Sequence, residues 1–176
     1  MSGGTPDTKR EDFYSGTIPW ITTVALGKIF IDDNDAVNHI TAEAIEKSST
    51  HLIPANTLLF GVRVGVGKSS ITKIPICTNQ DIVALMDVDK RLYNNIFLKF
   101  VLDSYQSHFN SIKRGMTIKG ITANDLKSVL IPNTPLEMQE EFALYVENCE
   151  AMKKSARTRL EELKLEREEL VRKYFR

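Results

Sequence analysis

Residues 134–176 read TPLEMQEEFALYVENCEAMKKSARTRLEELKLEREELVRKYFR. Past Pro135 the run holds no glycine and no further proline, and it is dense in Glu, Lys, Arg and Leu, all good helix formers. Its opening has the form of a helix start. Thr134 can cap free backbone N–H groups, Pro135 suits the first helical position, and Glu137 can bond back in a capping box. A helix from Pro135 to the end would extend roughly 60 Å at about 1.5 Å per residue. A small domain needs no element that long for its own core, so the stretch reads as a spacer or pairing arm. The chain thus divides into a globular domain over residues 1–133 and a long helix over 134–176 that pairs as a coiled coil.

With Leu160 at position a of a heptad, Val146, Lys153, Leu160, Arg167 and Tyr174 share the a line. Phe142, Cys149, Ala156, Leu163 and Leu170 share the d line. The d line is apolar throughout and the a line carries two cations, a seam suited to antiparallel or asymmetric pairing rather than a long parallel zipper. Arg157–Glu161, Glu168–Arg172 and Glu169–Lys173 lie four apart and predict supporting ion pairs. A helix this polar is marginal alone. Pairing between chains is therefore expected, through Phe142, Val146, Cys149, Ala156, Leu160, Leu163, Leu170 and Tyr174; a frayed tail is the alternative.

At 176 residues the chain is long enough for one ordinary domain plus such an extension. Its 23 Lys+Arg balance 23 Asp+Glu, yet the charge is uneven along the sequence. Residues 1–60 hold four Lys/Arg against eight Asp/Glu, residues 61–135 ten against five, and residues 136–176 nine against ten. The basic middle implies an anion-facing surface. Cys77 and Cys149 have no metal-type spacing and read as free thiols of a reducing cytosol, so a cytoplasmic protein without metal or cofactor is expected. No apolar run is long enough to span a bilayer, and MSGGTPDTK is no signal peptide.

Ahead of the helix, a turn at Tyr14–Gly16 feeds a short strand through Ile21, with Trp20 as a core anchor and the Thr22 and Thr23 hydroxyls exposed. Asp32–Asp35 lacks the ligand spacing, glycine and closing glutamate of a calcium loop and reads as a solvated acidic loop. Thr41 predicts a capped helix through about Lys47. Gly61-Val62-Arg63-Val64-Gly65-Val66-Gly67-Lys68-Ser69 resembles a phosphate-binding Walker loop. However, position 62 is valine where the first glycine is needed, and a strand pattern follows where a helix must start. The reading is a glycine-rich hairpin with exposed Arg63, Lys68 and Lys73. Cys77–Asp81 reads as a polar turn, Ile82–Met86 as a strand buried on both faces, Lys90–Asn110 as one helix with a broad apolar stripe, and Val129–Pro132 as a strand. Between them Ser111–Gly120 is a basic, glycine-punctuated loop, and Thr122 with Asp125 predicts a capping box. His39, His51 and His108 have no partner pattern, there is no Asn-Pro-Pro-Tyr methylation motif, and no nuclease-type carboxylate cluster is recognisable, so no catalytic residue is assigned.

In order along the chain stand Gly3-Gly4-Thr5-Pro6, Gly16-x-Ile18-Pro19-Trp20, Ile40-Thr41-x-Glu43-x-Ile45, Leu52-Ile53-Pro54-x-x-Thr57-Leu58-Leu59 and Val64-Gly65-x-Gly67-Lys68. Asn79-Gln80, Gly115-x-Thr117, Ile131-Pro132 and Pro135-Leu136-x-x-Gln139 continue the order. Together they resemble the target recognition domain and following helix of type I restriction-modification specificity subunits, over nearly the whole chain. The resemblance implies an α/β (mixed α+β) fold, a target recognition domain with a mixed β-sheet followed by the long helix. It implies non-catalytic, sequence-specific recognition of double-stranded DNA, with the helix as spacer and docking face for methyltransferase (modification) subunits and a restriction/motor subunit joining the complex. It also implies a half-subunit or a fragment of a longer protein, since full-length members carry two such domains and two helices; two copies could form a homodimer through the helices. Family members usually have a short strand before the Gly-Gly-Thr-Pro turn, which implies here either a trimmed chain or a sheet edge built differently. From composition and loop position, the expected DNA contacts are Lys9, Arg63, Lys68, Lys113, Arg114 and Lys119 on phosphates, with Thr22, Thr23 and Thr117 toward the groove. The alternative is a structural or antagonist module that pairs through its helix without gripping DNA.

Overall fold

The computed structural model describes residues 1–115 and 120–175. It is a mixed α/β fold with seven strands in two mixed sheets and five α-helices among the described residues: β1 (Ile18–Ile21), β2 (Phe30–Ile31), β3 (Asn38–Ile40), α1 (Ala42–Glu46), β4 (Leu58–Gly61), β5 (Ser69–Thr72), β6 (Cys77–Thr78), β7 (Ile82–Leu85), α2 (Asn95–Ser104), α3 (Gln106–Ser111), α4 (Ala123–Lys127) and α5 (Leu136–Tyr174). The smaller sheet runs β3-β1-β6 and the larger β2-β5-β4-β7. β1 pairs antiparallel with β3 and parallel with β6, while β4 pairs antiparallel with both β5 and β7.

Strand alternation sorts side chains into three apolar layers. From β4, Leu58 and Phe60 face a core shared with Leu98, Leu102, Phe109 and Val146 of the helices; Phe60 and Phe109 meet edge to face at 5.1 Å. Leu59 points the other way, into a layer between the sheets with Ile21, Ile53, Ile76 and Ile82. Trp20, one residue before Ile21, faces a third cluster with Phe13, Ile40 and Ala44, and its indole N–H donates to the Gly4 carbonyl at 3.0 Å. Trp20 is thus the core anchor its sequence position suggests. Each such buried apolar side chain stabilises by about 1.5–3 kcal/mol.

Hydroxyls carry the polar part of the interior. All four residues of β5 are buried. Ser69 donates to Asp103 of α2 at 2.6 Å, which also receives the Lys99 ammonium at 2.6 Å. Thr72 donates to the Pro54 carbonyl and accepts from the Thr57 N–H, both at 3.0 Å. Unpaired, each would cost about 1–3 kcal/mol.

Two short helices have the caps their sequences announce: Thr41 accepts from the Ala44 N–H, and Thr122 with Asp125 forms a complete capping box. Asp32 and Asp35 form another around a 3-10 turn, Asp33–Asp35. Several expectations are corrected. The stretch from Lys90 becomes α2 and α3, broken at Tyr105, with α2 starting only at Asn95 under an Asn94 cap. Cys77–Thr78 is a strand because β1 offers it a parallel edge. β7 is buried on alternate residues only, since it ends the larger sheet. Residues 129–132 form no strand.

The edge of β7 is nonetheless covered. Ser2 bridges Val83, the Met1 ammonium donates to the Ala84 carbonyl, and the Ala84 N–H donates back to the Met1 carbonyl, each at 2.8 Å. The first residues thus pair with β7 ahead of the Gly-Gly-Thr-Pro turn.

α5 begins at Leu136, and neither Thr134 nor Glu137 caps it. Gln139 takes over that end. Its amide is 1% exposed; it accepts from the Asn94 N–H at 3.0 Å and donates to the Leu92 and Thr134 carbonyls at 3.0 and 2.8 Å. Phe142 sits edge-on between Phe97 and Phe100 of α2, and Ala143 and Val146 enter the core. Residues 151–175 are all exposed. No described helix is long and apolar enough to cross a membrane.

Candidate functional site

Three segments meet at one end of the larger sheet. The first is the 3-10 turn Thr23–Ala25, which follows β1. The second is the loop 62–68 between β4 and β5, the glycine-rich hairpin. Its tip is closed by Gly67 N–H to the Gly61 carbonyl at 3.1 Å and Lys68 N–H to Gly65 at 3.0 Å. Gly65 and Gly67 hold φ of 66° and 87°, a region side chains other than glycine rarely adopt. A strand on each side, rather than a following helix, leaves no phosphate cradle of the Walker kind. The third segment is the loop after α3. It is drawn onto the hairpin by Ile121 N–H to the Val62 carbonyl at 2.8 Å, and pinched by reciprocal bonds of 2.9 Å between Arg114 and Gly120.

The segments touch through the glycines. A Cβ on Gly65 would stand 3.7 Å from the Thr23 Cβ, and one on Gly67 would stand 2.9 Å from the Gln106 Cγ at the start of α3. Arg63, Lys68, Lys113 and Arg114, with Thr22 and Thr23 beside them, are therefore carried by neighbouring segments although up to 92 residues separate them in sequence.

Their electrostatic states differ. Arg114 Nη2 lies 2.6 Å from Asp125 Oδ1, and Arg63 Nη1 lies 3.8 Å from Asp81 Oδ1. The hydroxyl and N–H of Thr122, and then the Arg114 guanidinium, hold the Asp125 carboxyl below its usual range, so it is ionised at neutral pH. Both arginines are thus partly neutralised within the chain. Lys68 is exposed and Lys113 half-buried, and among the described residues neither forms an ion pair. Among the described residues, these two lysines carry the site's uncompensated positive charge.

Other expected contacts fare differently. Thr23 is only 4% exposed, because the chain turns into a 3-10 helix there instead of continuing the strand; its hydroxyl is not a surface group. Thr22 is half-buried at the start of that turn. Lys9 is exposed, but its segment packs at the other end of β1, where the Phe13 carbonyl accepts from Thr41 N–H. Lys73 also stands apart, its ammonium 5.0 Å from the centre of the Phe30 ring. Thr117 and Lys119 lie outside the described residues. Gln106, on which Gly67 packs, and Asn110 are exposed polar residues of α3 that the sequence reading did not single out, because the apolar stripe through Tyr105 and Phe109 marked the helix instead.

On the arm, the expected pairing line divides. Phe142 and Val146 are used within the chain and Cys149 is half-buried, whereas Leu160, Leu163, Leu170 and Tyr174 are 45–68% exposed and Ala156 is exposed too. Ion pairs along it are Lys153–Glu150, Arg159–Glu162, Lys164–Glu161 and the anticipated Glu168–Arg172; the anticipated Arg157–Glu161 pair gives way to Lys164, three residues from Glu161, and Glu169–Lys173 does not form.

Comparison with known proteins shows the family and the fold. The family model for the type I restriction modification DNA specificity domain matches residues 1–165. The type I restriction enzyme MjaIX specificity subunit of Methanocaldococcus jannaschii is 29% identical over 168 residues, covering 93% of this chain and 39% of that protein. The EcoR124I/EcoR124II specificity subunit of Escherichia coli is 29% identical over 163 residues, covering 87% and 39%. The HsdS subunit from Thermoanaerobacter tengcongensis superposes with a TM-score of 0.60 at 18% identity, over 86% of this chain and 34% of that one. A chain from a structural study of assembly and conformational transition in a type I R-M system gives 0.62 at 20% identity, over 86% and 35%. These superpositions show a shared fold. The chain spans about two fifths of the length of the curated relatives it matches.

Proposed function

Because this chain belongs to the type I restriction modification DNA specificity domain family, we propose that it selects a DNA sequence for a type I restriction-modification complex and performs no catalysis itself. Residues 1–133 serve as the target recognition domain, and 134–176 as spacer and docking helix. Double-stranded DNA lies against the hairpin 62–68 and the loop after α3. Lys68 and Lys113 grip phosphates, while Arg63 and Arg114 exchange their carboxylates for phosphate on binding. The exposed apolar residues beyond Cys149 receive a methyltransferase subunit or the helix of a second copy, with the restriction/motor subunit joining a cytoplasmic complex.

The observation that carries this reading is the convergence of Lys68 and Lys113, both without an ion pair among the described residues, on one end of the sheet. The relatives that match are themselves named specificity subunits of type I restriction enzymes. The test is bandshift titration of the full chain, with and without added methyltransferase subunits, across a salt series. Each of Lys68→Ala and Lys113→Ala should flatten the slope of log K against log salt by about 0.9. Unchanged slopes in both variants would overturn the assignment of the grip, and binding of methyltransferase without DNA would favour the antagonist reading.

A further inference from the structure

The structure offers a surface between the two gripping lysines that the proposal above leaves unused. Resting on that DNA-reading proposal, we propose that the outer face of α3 reads base edges, with Gln106 and Asn110 as its specificity-determining residues.

The exposed residues of α3 include His108 but no Asp, Glu, Lys or Arg. From Ser104 to Ile112 there is no Asp, Glu, Lys or Arg, in a chain that is 26% charged. Gln106, Ser107, Asn110 and Ser111 are all exposed. A solvated helix face ordinarily carries charge, as the outer half of α5 does. A run of uncharged donors and acceptors is suited to base edges, where an acid would repel the backbone and a bare cation would bind it at any sequence.

The face is also held in place. Phe109 is fully buried against Phe60, which fixes the rotation of the helix; Gln106 and Asn110, four residues apart, share one line beside that buried side and are exposed. Gly67 packs directly on Gln106: a Cβ there would lie 3.2 Å from its Cα. The Asn110 amide donates to the Gln106 carbonyl at 2.9 Å, which orients it and leaves its oxygen available. Among the described residues the Gln106 side chain makes no hydrogen bond. Lys68 follows Gly67 on one flank, and Lys113 follows α3 on the other. The arrangement is backbone grip on each side with amides between.

Size and chemistry agree with a groove. A six-residue helix is about 9 Å long, and the major groove of B-DNA is about 12 Å wide. Glutamine and asparagine amides match the N7 acceptor and N6 donor of adenine, so A·T pairs are the expected target.

The test is selection from a random-sequence DNA pool by the full chain together with its methyltransferase subunits, followed by sequencing of the bound fraction. Gln106→Arg should move the preference at one position from A·T to G·C, because a guanidinium matches guanine O6 and N7. Asn110→Ala should relax discrimination at one position by about 5- to 150-fold and leave the salt slope unchanged. Selection of the wild-type sequence by both variants would overturn the inference, as would an equal loss of affinity on every sequence. If wild type itself enriches no sequence, the underlying DNA-reading proposal falls and this one with it. Circular dichroism of both variants checks that these exposed substitutions leave the fold intact.

Discussion

Replacing Gln139 by leucine keeps the volume of a buried side chain and removes the hydrogen bonds that join α5 to the turn before α2. Three backbone groups lose their partner: the Asn94 N–H and the Leu92 and Thr134 carbonyls. A polar group left unpaired in the interior costs about 1–3 kcal/mol. The Leu92 side is exposed and Thr134 half-buried, so water can reach those carbonyls, whereas the N–H faces the new leucine. One full penalty and a fraction of two others amount to about 2–4 kcal/mol, of which the added apolar burial returns about 1 kcal/mol. With a urea slope of about 2 kcal/mol per molar, the unfolding midpoint should fall by roughly 1 M. The assay is equilibrium urea unfolding followed by far-UV circular dichroism. A shift below about 0.2 M at unchanged slope would show that these bonds merely replace equivalent ones to water, and the reasoning would fail.

Three further outcomes can be checked. Gly67→Ala places a Cβ at φ 87° and 2.9 Å from Gln106, so it should cost about 1–3 kcal/mol and weaken DNA binding together; an unaltered melting temperature would refute the contact. Burial pushes the Cys77 thiol up to about 11, so the folded chain keeps a proton that the unfolded chain releases earlier. That contribution is complete below the ordinary thiol value and is lost as pH rises toward 11, and a thiol reagent should modify half-buried Cys149 long before Cys77; equal labelling rates would contradict it. Removing residues 151–176 should leave the urea midpoint nearly unchanged, since the described part of that segment is wholly exposed, while converting any dimer to monomer in sedimentation; a full chain that is already monomeric would remove self-pairing.

What was legible in the sequence was what neighbours along the chain decide between themselves. Thr41, and Thr122 with Asp125, cap helices within three residues, and the hairpin glycines announce their turn. Trp20 revealed its core side through residue type alone. Contacts closed across the chain were hidden. Thr134 looked like a cap because its rival, Gln139, works through Asn94 and Leu92 some 45 residues earlier. Arg63 and Arg114 looked like free cations because Asp81 and Asp125 reach them only after folding. The break at Tyr105 was invisible because the apolar stripe runs through it, with Leu102 and Phe109 in the same core on either side.

The Gln139 joint has a mechanical consequence. α5 is 39 residues long, or about 58 Å at 1.5 Å per residue, and only its first three turns are bolted to the globular part. It is a lever whose fulcrum is the Gln139 amide, backed by Phe142, Ala143 and Val146 in the turns that follow. A swing of about 10° there would carry the far end some 10 Å, roughly three base-pair steps at 3.4 Å each. Wherever such a helix sets the distance between two DNA-reading surfaces, the angular tolerance of that joint becomes an error in base pairs. Stiffness along the rod counts for nothing if the fulcrum slips.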